Sequence, residues 1–237
     1  MPFFRNIVFT AVLVGLIAGL AVSAMQAIGT TPLILQAETF ESRGAEVAHA
    51  HTHEAGAPAD HHHDPEAWAP ADGFERNAYT IAANVLTAIG YALVLTALIS
   101  LRNSAGGWRE GLLWGLAGFA AVMLAPAIGL PPELPGSPAA ELGARQMWWV
   151  ATVAATAGGL ALLAFKRAEA WAVILALVLM AAPHIIGAPL PPAGEHALAP
   201  LPLERRFVVL ATVTSFVFWI ILGTLSGHLL KRVDVAR

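Results

Sequence analysis

Six of the nine histidines fall in one stretch, His49 to Glu66, which reads HAHTHEAGAPADHHHDPE. His49, His51 and His53 alternate with Ala and Thr, while His61, His62 and His63 are contiguous and run into Asp64. Glu54, Asp60 and Glu66 add oxygen donors. Imidazole suits Zn, Cu, Ni, Fe and Co, and carboxylates extend the ligand set. In an extended segment, residues two apart share a side at roughly 6.5–7 Å. Two of the alternating histidines then reach one ion after a small bend. The contiguous triplet needs a turn, for which Gly56, Pro58 and Pro65 supply flexibility and stops. The chemistry on offer is capture of a divalent metal. The competing reading is a low-complexity insertion that binds metal only because any histidine cluster does. The chain has no cysteine, so thiolate sites, Fe–S clusters and disulfides are excluded.

His184 is a separate candidate. It follows Pro183 inside an apolar run, and an ionisable residue within a membrane span is by default a functional candidate. Proline frees a backbone carbonyl, and carbonyls at broken helices coordinate ions. A histidine that packs and hydrogen-bonds to a neighbouring helix is the alternative. Gln26, Asn84 and Tyr91 are the other polar groups in apolar runs and read as interhelical glue. Glu38 and Glu41, just past the first run, read as a solvated face or as part of an acidic mouth.

The elements that must position these residues are membrane helices. Apolar residues make up 57% of the chain and charged residues 12%, with a mean hydropathy of +0.66. Soluble domains carry about 25% charged residues. Apolar runs lie near Ile7–Ile28, Asn77–Leu101, Leu112–Ile128, Met147–Phe165, Trp171–Gly187 and Phe207–Leu230, and runs of this kind read as transmembrane helices. The first has a rival reading as a signal peptide with Val22-Ser23-Ala24 at the cleavage site. Its length, and small residues including Gly15 and Gly19 at helix-packing spacing, favour a retained span. The polar stretch 44–74 lacks a core-forming pattern and reads as an outer loop, disordered until metal orders it. The Pro-rich stretches Leu130–Pro138 and Ala188–Pro202 read as loops at the membrane surface.

Charge tests this arrangement. With the N-terminus inside, the inner segments hold Arg5, Arg102, Arg109, Lys166, Arg167, Lys231, Arg232 and Arg237, which is eight of the thirteen basic residues. Their acids are only Glu110, Glu169 and Asp234. This satisfies the positive-inside rule with both termini cytoplasmic and the histidines outside. A weak repeat accompanies it: Met123-Leu-Ala-Pro126 and Met180-Ala-Ala-Pro183 each precede a Pro-rich loop, an arginine and a helix with Ala-Thr-Val. The expected fold is therefore an all-α integral membrane protein, a single domain of about six transmembrane helices arranged as three helical hairpins.

Several functions are excluded by absence. No Asp, Glu, Lys or Arg falls inside a predicted span, so there is no charged proton relay. No G-x-x-x-x-G-K-[ST], H-E-x-x-H or G-x-S-x-G occurs, which removes nucleotide hydrolysis and the common hydrolases. Nothing favours catalysis or nucleic-acid binding.

The start FFRNIVFTAVLVGLIAGL, the segment TPLILQAETFE, the His-rich loop, the return ERNAYTIAANVLTAIGYALVL and the segment APHIIGAPLPP together resemble the CbtA family of predicted cobalt transporter subunits. The resemblance implies cobalt uptake linked to cobalamin, in the cytoplasmic membrane, with the His-rich loop and His184 as the matching metal candidates. It also implies a small one-span partner bearing its own histidine motif, CbtB-like; a homo-oligomer is a further option. The family is described with five spans, one fewer than the charge pattern supports. Spacing and composition alone reach a divalent metal, with nickel and zinc open beside cobalt. A metal-responsive sensor or assembly subunit that does not itself transport is the alternative function.

Overall fold

The computed structural model describes residues 2–52, 70–102 and 107–235, and all regular structure among them is helical. The elements in order are α1 (Pro2–Ile28), α2 (Thr30–Thr52), α3 (Phe74–Leu101), α4 (Trp108–Phe119), a π-helical turn (Ala120–Leu124), α5 (Ala125–Gly129), α6 (Leu142–Phe165), α7 (Ala170–Ile186) and α8 (Leu201–Val235). Among the described residues, five stretches are long and apolar enough to cross a membrane: those of α1, α3, α6 and α8, and the joined Trp108–Gly129. Helix α7 is apolar throughout but has only 17 residues, roughly 26 Å at 1.5 Å per residue against a hydrocarbon core of about 30 Å.

Helices α1 and α3 run antiparallel, and the reason lies in two glycines. A Cβ on Gly15 would fall 2.5 Å from Ile89 Cα, and one on Gly19 would fall 2.5 Å from Val85 Cα. Without side chains there, the two backbones meet, as small-xxx-small spacing allows. The same device joins α4 to α8. A Cβ on Gly223 would lie 2.7 Å from Gly115 Cα, and one on Gly227 2.8 Å from Gly111 Cα. Ala11, Val14, Ala18, Ala88, Ala92, Leu95, Phe119, Trp219 and Leu222 form the dry centre of this four-helix group.

Local chemistry sets the ends. Met25 C=O accepts from Gly29 N–H, so α1 passes into α2 with a single-residue break, and Pro32 falls in the first turn of α2, where proline is tolerated. Pro126 has no N–H to donate, and the preceding turn is π-helical, with Ala125 N–H bonding to Ala120 C=O. Insertions of this type absorb a disrupted hydrogen-bond ladder. Helix α6 begins at Glu141, whose carboxylate accepts from Gly143 and Ala144 N–H, both at 2.7 Å. These two bonds hold the Glu141 carboxyl below the usual range.

The loops reveal the path of the chain. Leu198 N–H donates to Gly136 C=O at 3.2 Å, tying loop 187–200 to loop 130–141. Leu134 and Ala199 of these loops pack with Leu33 and Ala37 of α2 and Phe207 of α8. At the other end, the Arg102 guanidinium stacks 5.1 Å from the Phe165 ring centroid, and Gly107 sits beside Lys231. Helix α7 therefore returns to the end from which α6 started, and the starts of α1 and ends of α8 share the opposite end.

Two expectations shift. The grouping into three hairpins is not shown: α1 packs along α3, and the π-helical turn and α5 touch α6, but α4 lies along α8 and α7 along α6. The glycine faces of α4 and α8 explain the first change. The second expectation is the boundary of the polar loop. Helix α2 continues through Thr52, because GAEVAHAHT contains good helix formers and no proline.

Candidate functional site

Asn77, Thr80, Asn84 and Thr87 recur on α3 at intervals of three and four residues, a helical stripe of polar groups in an otherwise apolar span. This stripe forms one wall of a cavity of about 520 Å³. Gln26 of α1, Thr30 and Thr31 of α2, Met123 of the π-helical turn and Thr214 and Ser215 of α8 complete its polar and soft surface. Val22, Ile34, Phe207, Ala211 and Phe218 supply the apolar part of the lining, beside the Met123 thioether.

Inside, Asn84 Nδ2 donates to Gln26 Oε1 at 2.7 Å and to Ser23 Oγ at 3.0 Å. Ser23 in turn donates to Gly19 C=O at 2.7 Å. Asn84 therefore uses both N–H groups on α1, which leaves its amide oxygen as acceptor. The interhelical role expected of Gln26 and Asn84 is present, and these same groups line the cavity.

At the rim, the Arg76 guanidinium faces Glu38 of α2 with both terminal nitrogens: Nη1 donates to Oε2 at 3.1 Å, and Nη2 donates to Oε1. Arg76 Nη1 also donates to Asp72 at 3.3 Å. The Arg76 and Glu38 side chains are each 34% exposed, whereas that of Asp72 is 91% exposed. Glu41 is exposed beside Gly136. At the cavity floor, Tyr91 meets Trp219 at 5.0 Å in a tilted arrangement and cavity-lining Phe218 edge-on at 6.3 Å. These aromatic rings separate the polar volume from the glycine-packed half.

His184 is elsewhere. Its ring meets Trp148 edge-on at 6.1 Å, while Trp148 Nε1 donates to Pro183 C=O at 3.2 Å. The carbonyl beside the candidate histidine is thus engaged by Trp148 and by Gly187 N–H. His184 is half-buried at the α6–α7 contact and does not line the cavity. His49 and His51 lie on the backbone of α2, so the extended geometry does not apply to them. His53, His61, His62, His63 and Asp64 lie outside the described residues. Among the described residues, no group of three or more His, Asp or Glu side chains is placed to hold a metal.

Sequence reasoning missed the cavity and the role of Arg76. The signal was present: polar residues at 77, 80, 84 and 87 form a periodic stripe, and Arg76 caps it. It missed the α4–α8 seam as well, although Gly111-x-x-x-Gly115 and Gly223-x-x-x-Gly227 are both legible.

No curated protein and no solved structure matches the chain. One protein family does, described as probable cobalt transporter subunit (CbtA), and it matches residues 4–231, nearly the whole length. A bundle of membrane-length helices around a polar cavity, with a match of that extent, places the chain in the CbtA family.

Proposed function

We propose that this chain is a component of a divalent-metal uptake system in the cytoplasmic membrane, with cobalt as the cargo and both termini inside. The segment holding His49, His51, His53, His61, His62, His63 and Asp64 collects the ion outside, and the bundle receives it at the cavity. The observation that carries this reading is position. Helices α2 and α3, which flank the His-rich segment, both line the cavity. Captured ions are thereby concentrated beside this opening in the helix group.

The family description as a subunit implies a partner. A small one-span, histidine-bearing membrane protein fits that role. Beneath the cavity, the apolar centre packs against the rings of Tyr91, Phe218 and Trp219. This supports the second reading, a sensor or assembly subunit through which no ion passes. Purified protein in vesicles separates the two: cobalt flux from this chain alone supports a permease, and flux only with the partner supports a subunit. The role of the segment is tested in cells by deleting residues 49–64. The expected result is a higher cobalt concentration for half-maximal uptake. Unchanged uptake at limiting cobalt sinks that role.

A further inference from the structure

Helix α2 is attached to the bundle along two edges of different chemistry. On one edge, Leu33 and Ala37 are buried against Leu134, Ala199 and Phe207. On the other, Thr30, Thr31 and Ile34 line the cavity. Glu38, one turn past Ile34, meets Arg76 of α3 across the rim. The first edge holds by burial, and parting it would return apolar surface to water. The second holds by an ion pair whose side chains are partly exposed, so water can replace either partner. Arg76 also has a second carboxylate in reach. Asp72, four residues earlier and almost fully exposed, accepts from Nη1. Release of Glu38 therefore leaves the guanidinium paired. The joint behind α2 is weak by construction. Gly29 interrupts the helix, and Pro32 has no N–H to offer Ile28 C=O. Residues at the ends of elements absorb hinge motion.

We propose that α2 is a lid on the rim end of the cavity, hinged at Gly29–Pro32, and that the Arg76–Glu38 pair is its latch. With the latch made, the two side chains bridge the mouth between α2 and α3. With Glu38 released, Arg76 stays on Asp72, and the cavity-lining edge of α2 swings away from α3 about its buried edge. The proposal goes beyond the uptake reading, because it concerns access to the cavity whatever enters. Arg145 and Glu133 provide an internal control. They form a comparable pair at 2.6 Å, with side chains 28% and 30% exposed, and neither lines the cavity.

The test measures access through the mouth. The chain has no cysteine, so Ser215→Cys gives a single thiol in the cavity lining. The purified full chain in lipid nanodiscs is labelled with two uncharged reagents, N-ethylmaleimide and a bulky polyethylene glycol maleimide. The readout is the ratio of the bulky to the small rate, which cancels any change in the reactivity of the thiol. Arg76→Gln is expected to raise this ratio about tenfold, the scale of a charge-assisted pair. Glu38→Gln raises it in the same direction, and it carries the test if Arg76→Gln does not fold. Arg145→Gln changes it by less than about threefold, as expected for a pair away from the mouth. Ser226→Cys, in the glycine-packed half, stays unlabelled in every background. An unchanged ratio in the latch variants overturns the proposal, as does a gain matched by Arg145→Gln. Labelling of Ser226→Cys in the latch variants would mark a general loosening and overturn it too. Absence of cobalt flux in vesicles would count against the uptake reading and leave these rates as they are.

Discussion

Along α8 two regions meet that differ in every physical respect. From Phe207 to Phe218 one face of the helix borders the cavity, while Phe207 packs with Leu33 and Ala37 and Phe216 meets Phe119 edge-on. From Trp219 to Lys231 the same helix is pressed onto α4, with glycine against glycine and no room for a methyl group. Beside the first region, side-chain hydrogen bonds cross between α1 and α3, from Asn84 to Gln26 and Ser23. In the second, the absence of side chains brings backbones into contact, where dispersion and weak Cα–H···O contacts replace hydrogen bonds. The difference teaches that one bundle can hold a cavity at one end and a closely packed seam at the other. Between the two regions the rings of Tyr91, Phe218 and Trp219 meet one another.

The seam gives the largest expected effect. Gly223→Leu forces a side chain into the backbone of Gly111 and Gly115, and overpacking in a closed contact costs about 3 kcal/mol or more. The expected outcome is loss of folded protein, seen as a fall in the detergent-resistant fraction or in Tm. If Gly223→Leu retains native stability, the seam is not tight. The cavity should be far more tolerant. Asn84→Leu removes two hydrogen bonds to α1, and interhelical hydrogen bonds in membranes are worth about 0.6 kcal/mol on average. Its stability should fall by about 1 kcal/mol in total on that scale, while the cavity loses its central polar group. Thermal unfolding of the two variants side by side checks the ranking. Equal losses would mean that the two regions do not differ as described.

Much of the fold was legible in sequence because lipid imposes simple rules. Hydropathy located the apolar helices, and the bend between α1 and α2 is visible at Gly29 and Pro32. Helix packing was less legible. The repeat around Pro126 and Pro183 suggested paired hairpins, yet those prolines do different things. Pro126 follows a π-helical turn that turns Met123 to the cavity, whereas Pro183 sits mid-helix with its carbonyl held by Trp148. Pairing is decided by complementary glycine faces on distant segments, and no local pattern specifies which faces meet.

The candidate site was legible only in part. His184 stood out because an ionisable residue in a span is conspicuous, but its neighbours are an indole and engaged carbonyls. Arg76 and Glu38 were harder to see as a pair. They are 38 residues apart, and only the antiparallel return of α3 beside α1 and α2 brings them together. Asn84 and Gln26 were correctly read as interhelical hydrogen-bond partners. Their second role as cavity lining depends on which faces of α1, α3 and α8 meet, and that is a property of three-dimensional packing.

The lack of cysteine makes the central contrast directly measurable. Ser215→Cys places a thiol in the cavity and Ser226→Cys places one in the glycine-packed half, where Ser226 is fully buried. The purified chain in lipid nanodiscs is exposed to a charged, membrane-impermeant methanethiosulfonate, and labelling is followed by mass. The account predicts rapid modification at Ser215→Cys and none at Ser226→Cys before unfolding. Equal labelling of the two positions would contradict a bundle that is open and polar at one end and closed at the other.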